Sequence, residues 1–348
     1  MFDTVTFRTE RRKPPAYELR RLGFTKPFDG AGRRWHWQPP AGSRRPRINW
    51  ITSQSGDYLT VFEVSLPKLL YGNNVETIKT DAEVMRAVDS LSVFATDITG
   101  TDCDLRRWDV VRLDACHSWD VTETEVTARI AALGGAHIRR MKPDPYPHGM
   151  YWKTKSETLL AYSKHSQVSE AISNGEAIPD EVLRASIGNF RLERRLLKRD
   201  AIRRRIVKPF GLEALHAEAV LRADIAASII NEDVMALNLD RPLVSGDARK
   251  ARLLERYGFT NTYFRLRSFL EDYADPYLRE RMRSEMNDQT FRNYRNDLEA
   301  AGVLLDNPQP ETYAALPLAR YGEASGTEAV SLTIQPSQNF LDVTEWVN

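Results

Sequence analysis

The sequence predicts an α+β fold, and three observations carry that prediction. Short β-like segments crowd residues 1–210, helical spacing takes over beyond about residue 211, and no internal repeat divides the chain into like units. At 348 residues the chain is long enough for two ordinary domains. A content of 42% hydrophobic and 28% charged residues places it with folded globular chains rather than disordered ones. The expected division is 1–210 as a sheet-and-helix unit, 211–308 as a helical unit and 309–348 as an extended tail.

The elements follow in order. DTVTF alternates cleanly, and YLTVFEVSL at 58–66 is rich in β-branched and aromatic residues until Pro67 and the turn-like Tyr71-Gly72-Asn73-Asn74 end it. Residues 81–95 put Val84, Val88 and Leu91 on one helical side, with Thr80 or Asp81 as N-cap. WDVVRLDAC at 108–116 reads as a strand, and 121–135 as a helix stopped by a Gly pair. Residues 149–164 form a hairpin pattern, two β-rich runs around a polar turn, and FRLERRL at 190–196 is a further strand or a strand entering a helix. Beyond 211, Leu212, Leu215, Ala219 and Ile225 recur at helical intervals. Residues 290–302 place Phe291, Tyr294, Leu298 and Ala301 on one helical face and Arg292, Arg295 and Asn296 on others, with Asp288 or Thr290 to start the helix and Gly302 to stop it.

Charge and composition exclude several classes. No apolar run approaches a membrane span, and MFDTVTFRTERRK lacks the apolar core of a signal peptide, so a cytoplasmic protein is expected. Cys103 and Cys116 make neither a metal pair by spacing nor a disulfide framework. Net charge is only +1, but residues 1–50 hold twelve basic side chains against four acidic ones, and RLERRLLKRDAIRRRIVK at 191–208 is a second basic concentration. Local basic surfaces on a neutral chain suit a polyanion, and equally describe ordinary solvated faces. Trp35 and Trp37, set among arginines in GRRWHWQPP, suit base stacking or a hydrophobic lid over the sheet.

There is no phosphate-cradling GxxxxGK[ST] loop, no GxSxG, no GxGxxG and no HExxH, and the six histidines contain no His-x-His pair. A metal site would therefore be built from carboxylates, which suits Mg²⁺ or Mn²⁺ rather than zinc. Three acids sit inside β-like runs: Glu63, Asp114 and Glu193. Alternation on adjacent strands brings them to one face, where mutual repulsion invites a cation. The competing reading pairs them with Arg112 and Arg191, each two residues before an acid. Tyr151 is one of 13 tyrosines, and most tyrosines pack. Its place after PDPYPHGM, beside Lys153 and Lys155 and before Lys164, supplies cations that favour a phenolate and hold a phosphate.

The ordered series FEVSLPKLLYGNN, VVRLDAC, MYWKTKSETLLAYSKHSQ and FRLERRL resembles the gene II/X replication initiators of filamentous phages, and is more distantly similar to plasmid rolling-circle initiators. TFRNYRNDLEAAGV at 290–303 resembles their C-terminal segment. The resemblance implies an HUH-related central antiparallel sheet with flanking helices, followed by a helix-turn-helix-like domain. It also implies a metal-dependent tyrosine endonuclease in the cytoplasm of a bacterial host, making residues 1–210 the endonuclease and 211–308 the DNA-binding domain. By position Tyr151 matches the family nucleophile, Lys164 the lysine of its Tyr-Ser-Lys element, and Asp114 and Glu193 the acids of two further elements; Glu63 matches less closely. Lys153 stands where the family often has Gly, and His165-Ser166-Gln167 where it has an acid, which leaves the third metal ligand open. Implied partners are single-stranded and supercoiled origin DNA, host helicase and DNA polymerase, and no membrane. Arg194, Arg195, Lys198, Arg292, Arg295 and Asn296 are the expected DNA contacts, with Trp35 and Trp37. Tyr162 is the candidate for a second strand-transfer residue. A DNA-binding regulator without catalysis and a conjugative relaxase are the alternatives; the latter usually brings the histidine cluster absent here.

Overall fold

The computed structural model describes residues 1–26, 34–39, 45–134, 136, 138–245, 248–274, 276–301, 303 and 311–321. Nine strands make one sheet: β1 (Phe2–Glu10), β2 (Arg34–Trp37), β3 (Arg47–Ser53), β4 (Gly56–Ser65), β5 (Asp109–Asp120), β6 (Lys142–Tyr146), β7 (Gly149–Lys153), β8 (Glu157–Ser163) and β9 (Asn189–Leu196). Their order is β2-β3-β4-β1-β5-β9-β8-β7-β6, and every neighbouring pair is antiparallel. The 12-residue β5, in the middle, joins the two halves. The expected strands at 3–7, 58–66, 108–116 and 190–196 and the 149–164 hairpin are all present. The hairpin ends one residue earlier than expected, because Ser163 caps a helix that Lys164 begins.

β6 escapes the sequence reading because Pro143 and Pro145 look like turn residues. On an edge strand a missing N–H costs nothing, so proline is accepted there. Gly149 opens β7 for a different reason: a Cβ on it would stand 2.1 Å from the Ala161 carbonyl oxygen. That close approach fixes the register that sets Tyr151 opposite Leu160.

Alternation gives the sheet one apolar face. Phe7, Ile48, Trp50, Leu59, Val61, Leu113, Trp152, Leu159, Leu192 and Leu196 are buried on it. Helix α1 (Asp81–Thr99) lays Val84, Val88, Leu91 and Phe94 into this core. It starts with a reciprocal capping box between Thr80 and Glu83, as its N-cap signal predicts. Helix α2 (Glu123–Leu133) ends at Gly134. Helix α3 (Lys164–Ser173) lies against β9. Helix α4 (Ala223–Ala236) packs on β5 and β9, so residues just beyond 211 complete the sheet's core.

Further along are α5 (Ala248–Tyr257), α6 (Asn261–Ala274), α7 (Pro276–Glu285) and α8 (Asp288–Ala300). α5 packs on α2, and α6 contacts α5, α7 and α8. Phe269 stacks on Tyr273 and Tyr294 and meets Phe291 edge-on. Asn287, one residue before the expected caps, starts α8; the expected stop, Gly302, lies outside the described residues. The chain returns through β11 (Glu311–Tyr313), which pairs with β10 (Leu243–Ser245). It then crosses the molecule: the Pro317 carbonyl accepts from Trp119 Nε1 at 2.9 Å, and Tyr321 Oη donates to the Cys116 carbonyl at 2.8 Å. This part of the expected tail is tied down; the rest lies outside the described residues.

Across the core interface Arg194 of β9 binds Asp233 of α4, Nε donating to Oδ2 at 2.9 Å, and both are almost fully buried. Asp233→Ala is expected to leave the buried guanidinium only the Glu157 carboxylate, 3.6 Å away, and to cost about 3 kcal/mol. Urea unfolding measures it, and a loss under about 1 kcal/mol contradicts this account.

Candidate active site

The face opposite the core carries the chemistry. Register sets Asp114 of β5 opposite Arg195 of β9 and Cys116 opposite Glu193. It sets Glu193 opposite Leu160 of β8, and Leu160 opposite Tyr151 of β7. Asp114, Glu193, Arg195 and Tyr151 therefore share one side of three neighbouring ladders, as two-residue alternation requires. Asp114 and Glu193 are 1% and 2% exposed, which for two carboxylates demands partners.

Those partners are arginines. Arg112 Nη2 donates to Asp114 Oδ2 at 2.9 Å, and its Nη1 binds Glu63. Arg195 Nε donates to Glu193 Oε1 at 2.6 Å and stands 3.9 Å from Asp114 Oδ2. Burial first, and the negative charge of Glu193 second, push the Asp114 carboxyl up to about 7 against the pull of Arg112. Arg191, the other arginine expected to pair with an acid, instead donates to the carbonyls of Asn74 and Val75 and to Ser118 Oγ. It clamps the 72–76 loop over the covered end of the site.

Glu63 does not join the two buried acids. It sits where the β1–β4 register shifts between Val5 and Phe7, at φ +47°, with its amide held by Thr6 Oγ1 at 3.1 Å. A non-glycine residue in the left-handed region at a bulge re-aims a side chain. Here Arg112 stands between Glu63 and Asp114 and binds both, so Glu63 is that arginine's second anchor and does not lie beside the two buried acids.

Two tyrosines flank the carboxylates differently. Tyr162 is 1% exposed and its hydroxyl donates to Glu193 Oε2 at 3.0 Å. Burial, then Glu193, raises its phenol well above the ordinary value. Tyr151 is half-buried. Its ring lies 4.1 Å from that of Tyr146, and Lys153 Nζ stands 4.8 Å from its centroid, itself paired with Asp144. Tyr146 went unnoticed in the sequence; its signal was the two-residue Pro147-His148 turn that folds β6 back on β7.

Lys164, expected beside a phosphate, is held by the chain itself. It is 1% exposed and donates to Asn74 Oδ1 at 3.1 Å and Gln167 Oε1 at 2.8 Å. Burial, then the positive charge of Arg191, pushes its amine down to about 7. The expected DNA contacts divide as well. Arg194 is buried against Asp233, and Trp35 is 5% exposed in the core. Trp37 meets Phe94 of α1 edge-on at 5.5 Å. All three pack on the core side, which for the two tryptophans is the hydrophobic-lid alternative to base stacking. Lys198, Arg203 and Lys208 are exposed where the basic run leaves β9, whereas Arg204 and Arg205 pair with Glu157. On α8, Arg292, Arg295 and Asn296 are exposed opposite the packed Phe291, Tyr294 and Leu298, with Arg295 bonded to Glu299.

Among the described residues, no three His, Cys, Asp or Glu side chains converge as a cage for a metal ion. Mg²⁺ needs no such cage: one or two carboxylates with waters and substrate phosphate hold it. Asp114 and Glu193 are hard oxygen donors of the kind such a site uses, and each would have to loosen its arginine to bind the ion. Among the same residues no helix is long and apolar enough to cross a membrane.

An antiparallel sheet with flanking helices and a helical C-terminal region define an α+β protein. The family model for the N-terminal part of the gene II replication-associated protein matches residues 27–231, and the chain belongs to that family, the gene II replication proteins of filamentous phages. Membership implies a rolling-circle replication initiator. No curated protein and no solved structure matches the chain.

The raised Asp114 fixes a stability prediction. Between its ordinary value of 3.8 and about 7, the folded chain holds a proton on Asp114 that the unfolded chain has released, so stability falls as pH rises through that window. Asp114→Asn has no such proton to lose. In EDTA its melting temperature is expected to gain on the wild type across that window and hold the difference above it. A constant difference from pH 4 to 8 contradicts the assignment.

Proposed function

We propose that this replication initiator nicks one strand of its origin DNA by attack of Tyr151 on the scissile phosphodiester. The observation that carries the reading is the contrast between the two tyrosines: Tyr162 is buried and bound to Glu193, whereas Tyr151 is half-exposed on the open face beside a lysine.

The Tyr151 phenolic oxygen forms a bond to phosphorus, and the bond from phosphorus to the 3′ oxygen breaks. The phenolic proton passes to the Asp114–Glu193 carboxylate pair or to water, and the departing 3′ oxygen takes up a proton from the same pool. The products are a 5′-phosphotyrosine and a free 3′-OH. Arg195 and Lys153 face the phosphoryl oxygens, where negative charge builds up. Arg112, held between Glu63 and Asp114, fixes the carboxylate corner. Mg²⁺ or Mn²⁺ held by Asp114 and Glu193 supplies charge neutralisation at the phosphate when bound. One phosphodiester is exchanged for another, so no nucleotide is consumed, consistent with the missing phosphate-binding loop, and the reverse attack rejoins the strand. A host DNA polymerase extends the 3′-OH and a host helicase opens the duplex ahead. Arg292 and Asn296, with Arg295, suit base reading in a major groove from a helix-turn-helix-like unit.

Incubation of wild type, Tyr151→Phe and Tyr162→Phe with supercoiled and single-stranded DNA of the parent replicon tests this. The expected result is a nick and a covalent adduct that require Mg²⁺ or Mn²⁺, vanish in Tyr151→Phe and persist in Tyr162→Phe. Arg195→Ala is expected to slow nicking by about 10²–10³-fold. Tight DNA binding without cleavage under any metal overturns the nuclease reading and leaves a DNA-binding regulator.

A further inference from the structure

The open face does not end at the carboxylates. Register carries a row of cations across it: Lys142 of β6 opposite Lys153 of β7, Lys153 opposite Thr158, Thr158 opposite Arg195, and Arg195 opposite Asp114. Two residues along β5, Arg112 lies opposite Thr6 of β1. Beyond it, Arg47 of β3 lies opposite Phe62 of β4. Alternating charges tie the row together: Arg195 to Asp114, Asp114 to Arg112, Arg112 to Glu63, and Glu63 to Arg47 at 4.0 Å. Asp114 is buried in this chain, while Arg112 and Arg195 keep 21% and 29% of their side chains exposed and Arg47 52%. Glu63 keeps 35% and Asp144, paired with Lys153, 55%, so the exposed layer mixes both signs and ends on the cation Arg47.

At the far end the cations lie on aromatic rings. Arg47 Cζ stands 5.4 Å from the Phe62 centroid and Arg8 Cζ 4.6 Å from that of Tyr58. Tyr58 and Phe62 are on the same strand, four residues apart and so on the same face, and both are half-exposed. Lys153 over Tyr151 repeats the arrangement at the other end of the row. Partly exposed rings capped by arginines on a sheet face suit an unpaired nucleic-acid strand: stacked guanidinium and ring surfaces for bases and cations for phosphates. A duplex keeps its bases stacked inside and has no use for the rings.

We infer that Arg47–Phe62 and Arg8–Tyr58 form a distal subsite for single-stranded DNA, holding the strand that runs across β5, β1 and β4 from Tyr151. Six strand spacings separate β7 from β3, a path of roughly 29 Å. The inference rests on the nicking reading only for where the strand meets Tyr151; the subsite itself binds without chemistry.

The test uses the full chain and fluorescent oligo-dT of about 25 nucleotides, with a duplex of equal length for comparison. Phe62→Leu and Arg47→Ala are each expected to weaken oligo-dT binding roughly tenfold and leave duplex binding unchanged. Arg47→Ala is also expected to lower the salt slope by about 0.7. Phe62→Tyr, which keeps the ring, is expected to bind as wild type. Wild-type oligo-dT affinity in Phe62→Leu overturns the subsite. Equal loss of duplex binding, or loss in Phe62→Tyr as large as in Phe62→Leu, overturns its assignment to a single strand. A chain that shows the expected Phe62 dependence but never forms a covalent adduct sinks the nicking reading and leaves the subsite standing.

Discussion

Two carboxylates buried side by side on the central strands are the constraint on which the rest of the site depends. Asp114 and Glu193 lie on β5 and β9, where the sheet's two halves join, and neither has enough solvent to screen its charge. Such a pair is costly unless each acid is matched by a cation and hydrogen bonds. Arg112 and Arg195 supply the match, and both need anchoring themselves. Glu63 at a strained bulge anchors one, and Glu193 with Asp114 the other. The bulge in β1–β4, the buried Tyr162 hydroxyl and the Arg191 clamp on the 72–76 loop are best understood as supports for this one electrostatic corner. Nothing about core packing asks for two acids there, and a stability optimum would replace at least one of them, which points to use rather than architecture.

Much of this was legible in the sequence, for a simple physical reason. Strand periodicity is two, so an acid within FEVSL, VVRLDAC or FRLERRL either faces solvent or has been placed on a functional face. Asp114 and Glu193 followed from that argument. Glu63 came from the same argument, but a bulge breaks the period there, and a register shift leaves no mark in composition. Nor can the sequence say which of two arginines flanking an acid bends back to it. Arg195 does so for Glu193, whereas Arg191 crosses to the backbone of another segment.

Basic residues were the least legible part. The run at 191–208 reads as one charged segment, but strand alternation sends Arg194 into the core and Arg195 to the open face. A buried arginine with a buried aspartate is invisible until α4 brings Asp233 against β9. Trp35 and Trp37, left open between base stacking and a hydrophobic lid because their neighbours in sequence are arginines, pack on the core side, with Lys26 Nζ 5.8 Å from the Trp35 ring. By contrast, α8 matched its periodicity well, because an exposed helix packed through one stripe is what a 3.6-residue pattern describes. Lys164 shows a third kind of limit: its motif position is clear, while its burial under the 72–76 loop depends on contacts 90 residues away.

Everything proposed for the open face turns on the identity of the residue that joins the DNA. Mass spectrometry of the purified adduct, after nuclease and protease digestion, reads that residue directly. A nucleotide on the peptide carrying Tyr151, and none on those carrying Tyr146 or Tyr162, is the predicted result. A nucleotide on the Tyr162 peptide contradicts the central claim, because a buried phenol bound to Glu193 would then have to be released before it reacts.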